Sequence, residues 1–202
     1  MHLRAAIDAG KNVFAEKPVA VDAPGVQSVL ETTALARAKN LSIVSGLNSR
    51  YSFALQELMA RIHEGAIGEI QTIHAVRYAG GVWVRPRKPE MTEMEYQMRN
   101  WYYFTWLSGD FNVEQFVHQY DQAAWALQNR YPQRCYSTGG RQARTGQEYG
   151  HIYDHFSSVF EYDGGARAFM TTRHQPGCSN ESNVVVVGTK GTATLSRGQL
   201  GI

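Results

Sequence analysis

The chain has 202 residues, of which 43% are hydrophobic, and a formal net charge of +2. This length suits one full domain and part of another, since domains usually run about 100–150 residues. The near-neutral charge, without a basic cluster among aromatic residues, excludes a nucleic-acid partner. No apolar run approaches the roughly 18 residues of a membrane helix, and the first residues do not open a signal peptide. The sequence therefore predicts a cytoplasmic protein with no membrane partner.

The first 47 residues show the rhythm of a parallel α/β sheet. A helix that ends near Gly10 precedes a short apolar strand at 12–15. A second helix is predicted over 24–39 and a second strand over 41–46. Helices alternating with strands favour parallel pairing. No strand and no Gly-x-Gly-x-x-Gly turn precede the first helix, so we expect this α/β unit to lack its N-terminal part.

From residue 48 onward the pattern changes to α+β. An amphipathic helix is predicted over 52–64 and a second helix over about 113–128. Between them, 80–100 is predicted to be a loop that acts as a flap or an oligomer contact. Strands are predicted at 69–78, 133–140, 155–162, 166–174, 183–188 and 192–196. Strands joined by short turns indicate a predominantly antiparallel open sheet. The chain ends just after the last strand, so we expect region 48–202 to be incomplete at its C-terminus.

One motif is Ala-Gly-Lys-Asn-Val-Phe-Ala-Glu-Lys-Pro, residues 9–18. It places Glu16 and Lys17 where a strand ends, at the carboxyl edge of a parallel sheet, which is where open α/β sheets bind ligands. A cis Lys17–Pro18 bond is expected there, to fix the direction of the lysine. The alternative is a surface Glu-Lys pair before a helix-initiating proline, and these residues alone favour that alternative.

The second motif consists of Glu114, His118, Asp121 and Trp125, whose spacings of four, three and four place them on one face of the predicted helix. Three ionisable groups on an otherwise apolar helix are costly to bury without a purpose. A carboxylate one turn from a histidine can orient the ring and favour its charged form. That arrangement suits a general base for a hydroxyl proton. The alternative is a solvated polar face.

Residues 9–18 resemble the Ala-Gly-Lys-His-Val-(Phe)-x-Glu-Lys-Pro signature of the glucose–fructose oxidoreductase/inositol dehydrogenase family, called Gfo/Idh/MocA. Residues 109–125 resemble its Gly-Gly-x-x-x-Asp-x-Gly-x-His-x-x-Asp-x-x-x-Trp motif. Runs 99–103 and 139–142 further resemble a carbohydrate-acting bacterial branch that includes candidate glycosidases. The resemblance covers nearly the whole chain. It implies that 1–47 is the C-terminal part of a dinucleotide-binding Rossmann domain and 48–202 a substrate-binding and oligomerisation domain.

The resemblance also implies roles for individual residues. Lys17 and His118 match the family's catalytic lysine and histidine, and Glu114 matches an acid that is usually aspartate. Contacts to NAD or NADP are implied at Glu16, Lys17, Pro18 and Asn48. Substrate contacts are expected at Arg50, Trp101, Asp121 and His155. No metal is expected, because the pair His151/His155 lies at a predicted strand, where a spacing of four does not converge.

The leading hypothesis is an NAD(P)-dependent oxidoreductase that acts on a sugar or polyol hydroxyl and forms a homo-oligomer through its antiparallel sheet. Without a phosphate-binding turn, the 202-residue chain is expected to be inactive alone. Two alternatives remain open. One is an NAD-dependent glycosidase of the same superfamily, and the other is a non-catalytic sugar-binding or dimerisation module.

Overall fold

The computed structural model describes residues 2–196 and 199–202. The α-helices, in chain order, are α1 His2–Asp8, α2 Ala23–Ala38, α3 Phe53–His63, α4 Glu93–Arg99, α5 Thr105–Ser108, α6 Phe111–Glu114 and α7 Val117–Ala126. The strands are β1 Val13–Ala15, β2 Ile43–Ser45, β3 Ile70–Ala79, β4 Arg134–Gly140, β5 His155–Glu161, β6 Arg167–His174, β7 Glu181–Gly188, β8 Thr192–Ser196 and β9 Gln199–Gly201. In this described part of the chain, every helix is too short or too polar to cross a lipid bilayer.

The first two strands form a small parallel sheet of their own. β1 pairs with β2 in parallel, with Val13 opposite Ile43. Between them, α2 begins where the Asp22 carboxylate accepts a hydrogen bond from the N–H of Gly25 at 2.7 Å. Such a cap satisfies one of the free N–H groups of a helix start. The predicted helix–strand–helix–strand order and the parallel pairing are confirmed.

The remaining strands form one seven-stranded sheet in the order β4-β5-β6-β3-β7-β8-β9. Neighbours pair antiparallel except for β3 and β6, which are parallel. β4, β5 and β6 are consecutive antiparallel strands, so β6 runs in the same direction as β4, and that is also the direction of β3. The fold class is therefore the predicted one, a short parallel α/β segment followed by an α+β region with a predominantly antiparallel open sheet.

The main hydrophobic core lies between one face of this sheet and helices α3 and α7. Alternate strand residues point into it, such as Ile73 and Ala75 of β3 and Val184 and Val186 of β7. Burying a large aliphatic side chain of this kind contributes about 1.5–3 kcal/mol. The helices contribute, among others, Leu58, Met59, Ile62, Ala123 and Leu127.

The prediction of a loop over 80–100 is wrong for the second half of that range. Residues 93–99 form α4, which begins where the Thr92 hydroxyl accepts a hydrogen bond from the N–H of Glu95 at 3.2 Å. The Thr-x-x-Glu pattern is a helix-start signature that could have revealed it. A second, aromatic core follows, built from Tyr96, Tyr102, Tyr103, Phe104, Phe111 and Ile152.

The single helix predicted over 113–128 is also wrong, because α6 ends at Glu114 and α7 begins at Val117. The two helices meet at Phe116, whose N–H bonds to the carbonyl of Phe111, five residues back. Phe111 packs in the aromatic core, whereas Phe116 packs in the main core. The break lets both rings be fully buried in different cores, and burying two aromatic rings outweighs one regular helix turn.

Candidate active site

Lys17 follows the end of β1 and reaches the last residue of α6. Its Nζ donates to Glu114 Oε1 at 2.5 Å and to the Glu114 backbone carbonyl at 2.7 Å. The side chains are 19% and 9% exposed, so the ion pair is largely shielded from water. The preceding Lys17–Pro18 bond is cis, as predicted. Two residues 97 positions apart in sequence therefore meet at one point.

His118 lies in the first turn of α7, in the same neighbourhood. Its Nδ1 is buried and has no hydrogen-bond partner in the part of the chain that the structure describes. Burial, followed by the positive charges of Lys17 and Arg77, lowers the pKa of His118. Glu114 and Asp121 act in the opposite direction but more weakly. The two carboxylates therefore favour the charged ring, as expected, but burial and the two cations outweigh them, and the Glu114 carboxylate bonds to Lys17.

A cavity of about 360 Å³ lies against His118. Its walls come from α7, from the segment after β2, and from β3, β7 and β8. The polar residues that face it include Asn48, Arg77, Gln115, Gln119 and Gln122. Amide groups both donate and accept hydrogen bonds, which is the chemistry that binds the hydroxyl groups of a sugar. The volume is within the range of small-molecule pockets.

The predicted cofactor residues lie at the carboxyl edge of the small parallel sheet. Glu16, Lys17 and Pro18 follow β1, and Asn48 follows β2. Glu16 lies so close to Gly46 that a side chain at Gly46 would clash with its carboxylate. Glu114 Oε2 is buried without a described hydrogen-bond partner, beside Lys17. This edge fits the nicotinamide end of a dinucleotide, whereas the sequence has no Gly-x-Gly-x-x-Gly turn to fit the pyrophosphate.

Arg50 and Asp121, both predicted to bind substrate, bind each other. The guanidinium Nε and Nη2 of Arg50 donate to the Asp121 carboxylate at 2.8–3.0 Å. The guanidinium also lies over the ring of Trp125, 4.9 Å from its centre. This pair lines a separate cavity of about 300 Å³. Asp121 therefore does not share the His118 cavity, although it follows His118 by one turn.

Trp101 and His155, the other predicted substrate residues, lie outside the lining of the His118 cavity. Trp101 packs edge-on against Trp83, with ring centres 6.1 Å apart. His155 pairs through Nδ1 with Asp154 Oδ1 at 2.8 Å. Within residues 2–196 and 199–202, no cluster of three or more His, Cys, Asp or Glu side chains is placed to hold a metal ion.

Sequence reasoning missed Arg77 and the three glutamines of the cavity. The alternation of Ile73, Ala75 and Arg77 along β3 was the available signal, because it places the arginine on the buried face of the strand. The spacing of Gln115, Gln119 and Gln122 is likewise that of residues on one side of a helical segment.

The chain is similar in sequence to known proteins over most of its length. The family model for the GFO/IDH/MocA C-terminal domain matches residues 55–194. Inositol 2-dehydrogenase 3 of Saccharopolyspora erythraea is 28% identical over 194 residues, which are 96% of this chain and 50% of that protein. The chain thus spans about half the length of the curated relatives it matches.

Solved structures of other proteins share this fold, as two examples show. Myo-inositol 2-dehydrogenase from Lactobacillus plantarum superposes with a TM-score of 0.72 at 18% identity, over 96% of this chain and 52% of the other. The WlbA dehydrogenase from Chromobacterium violaceum, in complex with NADH and UDP-GlcNAcA, gives 0.73 at 19% identity, over 95% and 50%.

Proposed function

This chain belongs to the GFO/IDH/MocA family, and on that premise we propose that it contributes the catalytic and substrate-binding residues of a nicotinamide-dependent oxidoreductase acting on a sugar or polyol hydroxyl. The observation that supports this most is His118, which lines an amide-rich cavity and whose pKa is lowered by burial and by the charge of Lys17, the partner of Glu114. The names of the relatives agree with it, since two are inositol dehydrogenases and one was solved with NADH.

His118 acts as the general base in this proposal. Its lowered pKa keeps the ring neutral near pH 7, so that it can take the proton of a substrate hydroxyl. Lys17 donates a hydrogen bond to the same hydroxyl oxygen and stabilises the negative charge that develops on it. Glu114 holds the Lys17 ammonium in place through two hydrogen bonds. Bound NAD or NADP supplies the acceptor for the hydride that leaves the hydroxyl carbon, and the product is a carbonyl compound.

We assign residues 1–47 to a dinucleotide-binding unit and 48–202 to a substrate-binding and oligomerisation unit. The separate hydrogen bonding of the two sheets supports this boundary. Glu16, Lys17, Pro18 and Asn48 would face the nicotinamide. Arg50 and Asp121 would hold the wall beside the substrate cavity rather than touch the reacting atoms.

The chain alone should bind the cofactor weakly and be inactive. A dinucleotide gains much of its affinity from N–H groups at the helix start of a Gly-x-Gly-x-x-Gly turn, and none of the 202 residues forms that motif. Calorimetric titration with NAD and with NADP measures this, and micromolar affinity would show that the cofactor site is misplaced.

A homo-oligomer formed through the open face of the seven-stranded sheet completes the proposal. One cross-strand row of this face consists of Tyr136, Val159, Phe169, His74 and Val185. These side chains are exposed or only partly buried, and four of the five are apolar or aromatic. Such a face is typical of an interface with a second copy.

The decisive experiment joins the chain to the half of the Saccharopolyspora erythraea relative that it does not match, and follows reduction of NAD or NADP with myo-inositol and hexoses. His118→Ala should lower kcat by about 100-fold or more, the usual contribution of a general base, with unchanged cofactor affinity. His63→Ala, at an exposed histidine of α3, is the matched control. Full turnover without His118 would refute the assignment, and release of reducing sugar without net reduction of the cofactor would indicate a glycosidase.

A further inference from the structure

Arg77 brings a positive charge to the wall of the His118 cavity. Its Nη2 donates to the side-chain oxygen of Gln115 at 3.0 Å, and an amide cannot neutralise a cation. Its Nε is buried and has no hydrogen-bond partner among the described residues. In that same part of the chain, Arg77 forms no ion pair with a carboxylate.

The two other cations near the site differ from Arg77, because each has a carboxylate. Lys17 pairs with Glu114, and Arg50 pairs with Asp121. Besides Arg77, the described lining of the cavity consists of amides, hydroxyls, His118 and the aliphatic Val184 and Leu195, with no acidic side chain. The cavity is therefore a positively charged site with neutral hydrogen-bonding walls.

A partly buried guanidinium without a counter-ion is unfavourable, and an anion bound in the cavity would offset that cost. Arginine suits carboxylates in particular, because its planar fork can donate two parallel hydrogen bonds to the two carboxylate oxygens. The orphaned side-chain oxygen of Gln119 leaves a further buried acceptor in the same wall for a ligand hydroxyl.

Building on the proposed function, we propose that the substrate of this site is a sugar acid rather than a neutral polyol. Its carboxylate binds Arg77, and the hydroxyl that is oxidised faces His118. Arg77 is then the residue that determines specificity, while His118 and Lys17 act on the reacting carbon.

The test uses the 202-residue chain with nitrogen-15 label, because sugar binding can be read from the His118 ring signals without cofactor. The probes are D-glucuronate and D-glucose, which differ only by the carboxylate at carbon 6, and D-glucose 6-phosphate as a second anion. D-glucuronate should bind at least about tenfold more tightly than D-glucose, the effect of one charge-assisted contact. It should also raise the pKa of His118, since a nearby carboxylate opposes the effect of Arg77.

Arg77→Gln should abolish the preference for the acid, and Arg77→Lys, which keeps the charge but loses the fork, should retain part of it. Arg37→Gln, at an exposed position in the last turn of α2, should leave the preference unchanged. Equal or tighter binding of D-glucose at His118, or a preference that survives Arg77→Gln, would overturn the sugar-acid proposal while the proposed function stands. Tighter binding of the phosphate than of D-glucuronate would overturn it in favour of a phosphosugar. If no probe moves the His118 signals, the substrate cavity itself is wrong and both proposals fail.

Discussion

At the scale of single residues, His174 illustrates how burial sets the charge of a side chain. It is 2% exposed and receives a hydrogen bond from Arg144 Nη2 at its Nδ1, at 2.9 Å. Burial, followed by the charges of Arg144 and Arg77, lowers the pKa of His174 to about 3. The ring is therefore neutral in the folded protein at every pH where the protein is expected to work.

This lowered pKa of His174 predicts a loss of stability in mild acid. In the unfolded chain a histidine titrates near 6.5, so between about pH 6.5 and 3 the unfolded state binds one more proton than the folded state. The free energy of unfolding should fall by about 2 kcal/mol between pH 7.5 and 5 from this group alone. Urea denaturation at both pH values measures it. His174→Gln cannot titrate and should lose that much less, and an equal loss in both proteins would contradict the account.

The charge of Lys17 predicts a second titration effect. Lys17→Met removes a positive charge that lowers the pKa of His118 and leaves the Glu114 carboxylate, which raises it, without its partner. Both changes act in the same direction, so the pKa of His118 should rise towards its ordinary value. Nitrogen-15 titration of the ring gives the measurement, and Lys11→Met, at an exposed lysine, should change nothing. An unchanged pKa of His118 in Lys17→Met would show that Lys17 does not act on His118 and does not belong to the proposed site.

At the scale of elements, Asp154 joins the turn after β4 to the start of β5. Its Oδ2 accepts hydrogen bonds from the backbone N–H groups of Gln142, Ala143 and Arg144 at 2.6–2.9 Å, and its Oδ1 binds His155 and Gln175. Burial alone would raise its pKa, but these donors hold the pKa of Asp154 well below its usual range. The carboxylate is thus the centre around which this turn is built.

Replacing Asp154 by alanine should therefore cost much more than an ordinary surface change. Three backbone N–H groups would lose their acceptor, each at up to about 1–3 kcal/mol. Because Gln142 and Ala143 are exposed and their N–H groups can bind water, we expect a loss below the full sum, about 3–5 kcal/mol in the free energy of unfolding. Asp163→Ala is the control, because that exposed carboxylate accepts one hydrogen bond, from Gln133. It should cost less than about 1 kcal/mol. Similar losses for the two variants in denaturant titrations would show that the turn does not depend on Asp154.

At the scale of the whole molecule, the open face of the sheet predicts self-association. Phe169 stacks on His74 there, with ring centres 5.0 Å apart, and both remain accessible. Phe169→Asp would bury a charge in the proposed interface, and should shift the protein towards the monomer in sedimentation velocity runs. Phe53→Asp introduces the same charge at an 87% exposed position of α3 and should leave the distribution unchanged. If the unaltered protein is monomeric at high concentration, the open face is not an interface between copies of the chain.

The sequence by itself determined most of the local elements and the two motifs, but not helix α4 or the break between α6 and α7. Apolar alternation located six of the seven strands of the large sheet to within about two residues at each end, because strand periodicity depends only on neighbours in the chain. The short strand β9 was not predicted. The same sequence singled out Lys17, Glu114 and His118, which the structure brings to one place. Their catalytic roles remain predictions.

Only the tertiary structure decided which charges are paired and which are free. The Glu114 carboxylate could have bonded to His118, which is four residues away in sequence, but it binds Lys17, which is 97 residues away. Asp121 follows His118 by one turn, but it binds Arg50 in a different cavity. Arg77 has no counter-ion among the described residues; the alternation along β3 places it on the buried face but does not show what would pair with it. Periodicity indicates which way a side chain points, whereas its charge, its partner and its burial depend on what the rest of the chain packs against it.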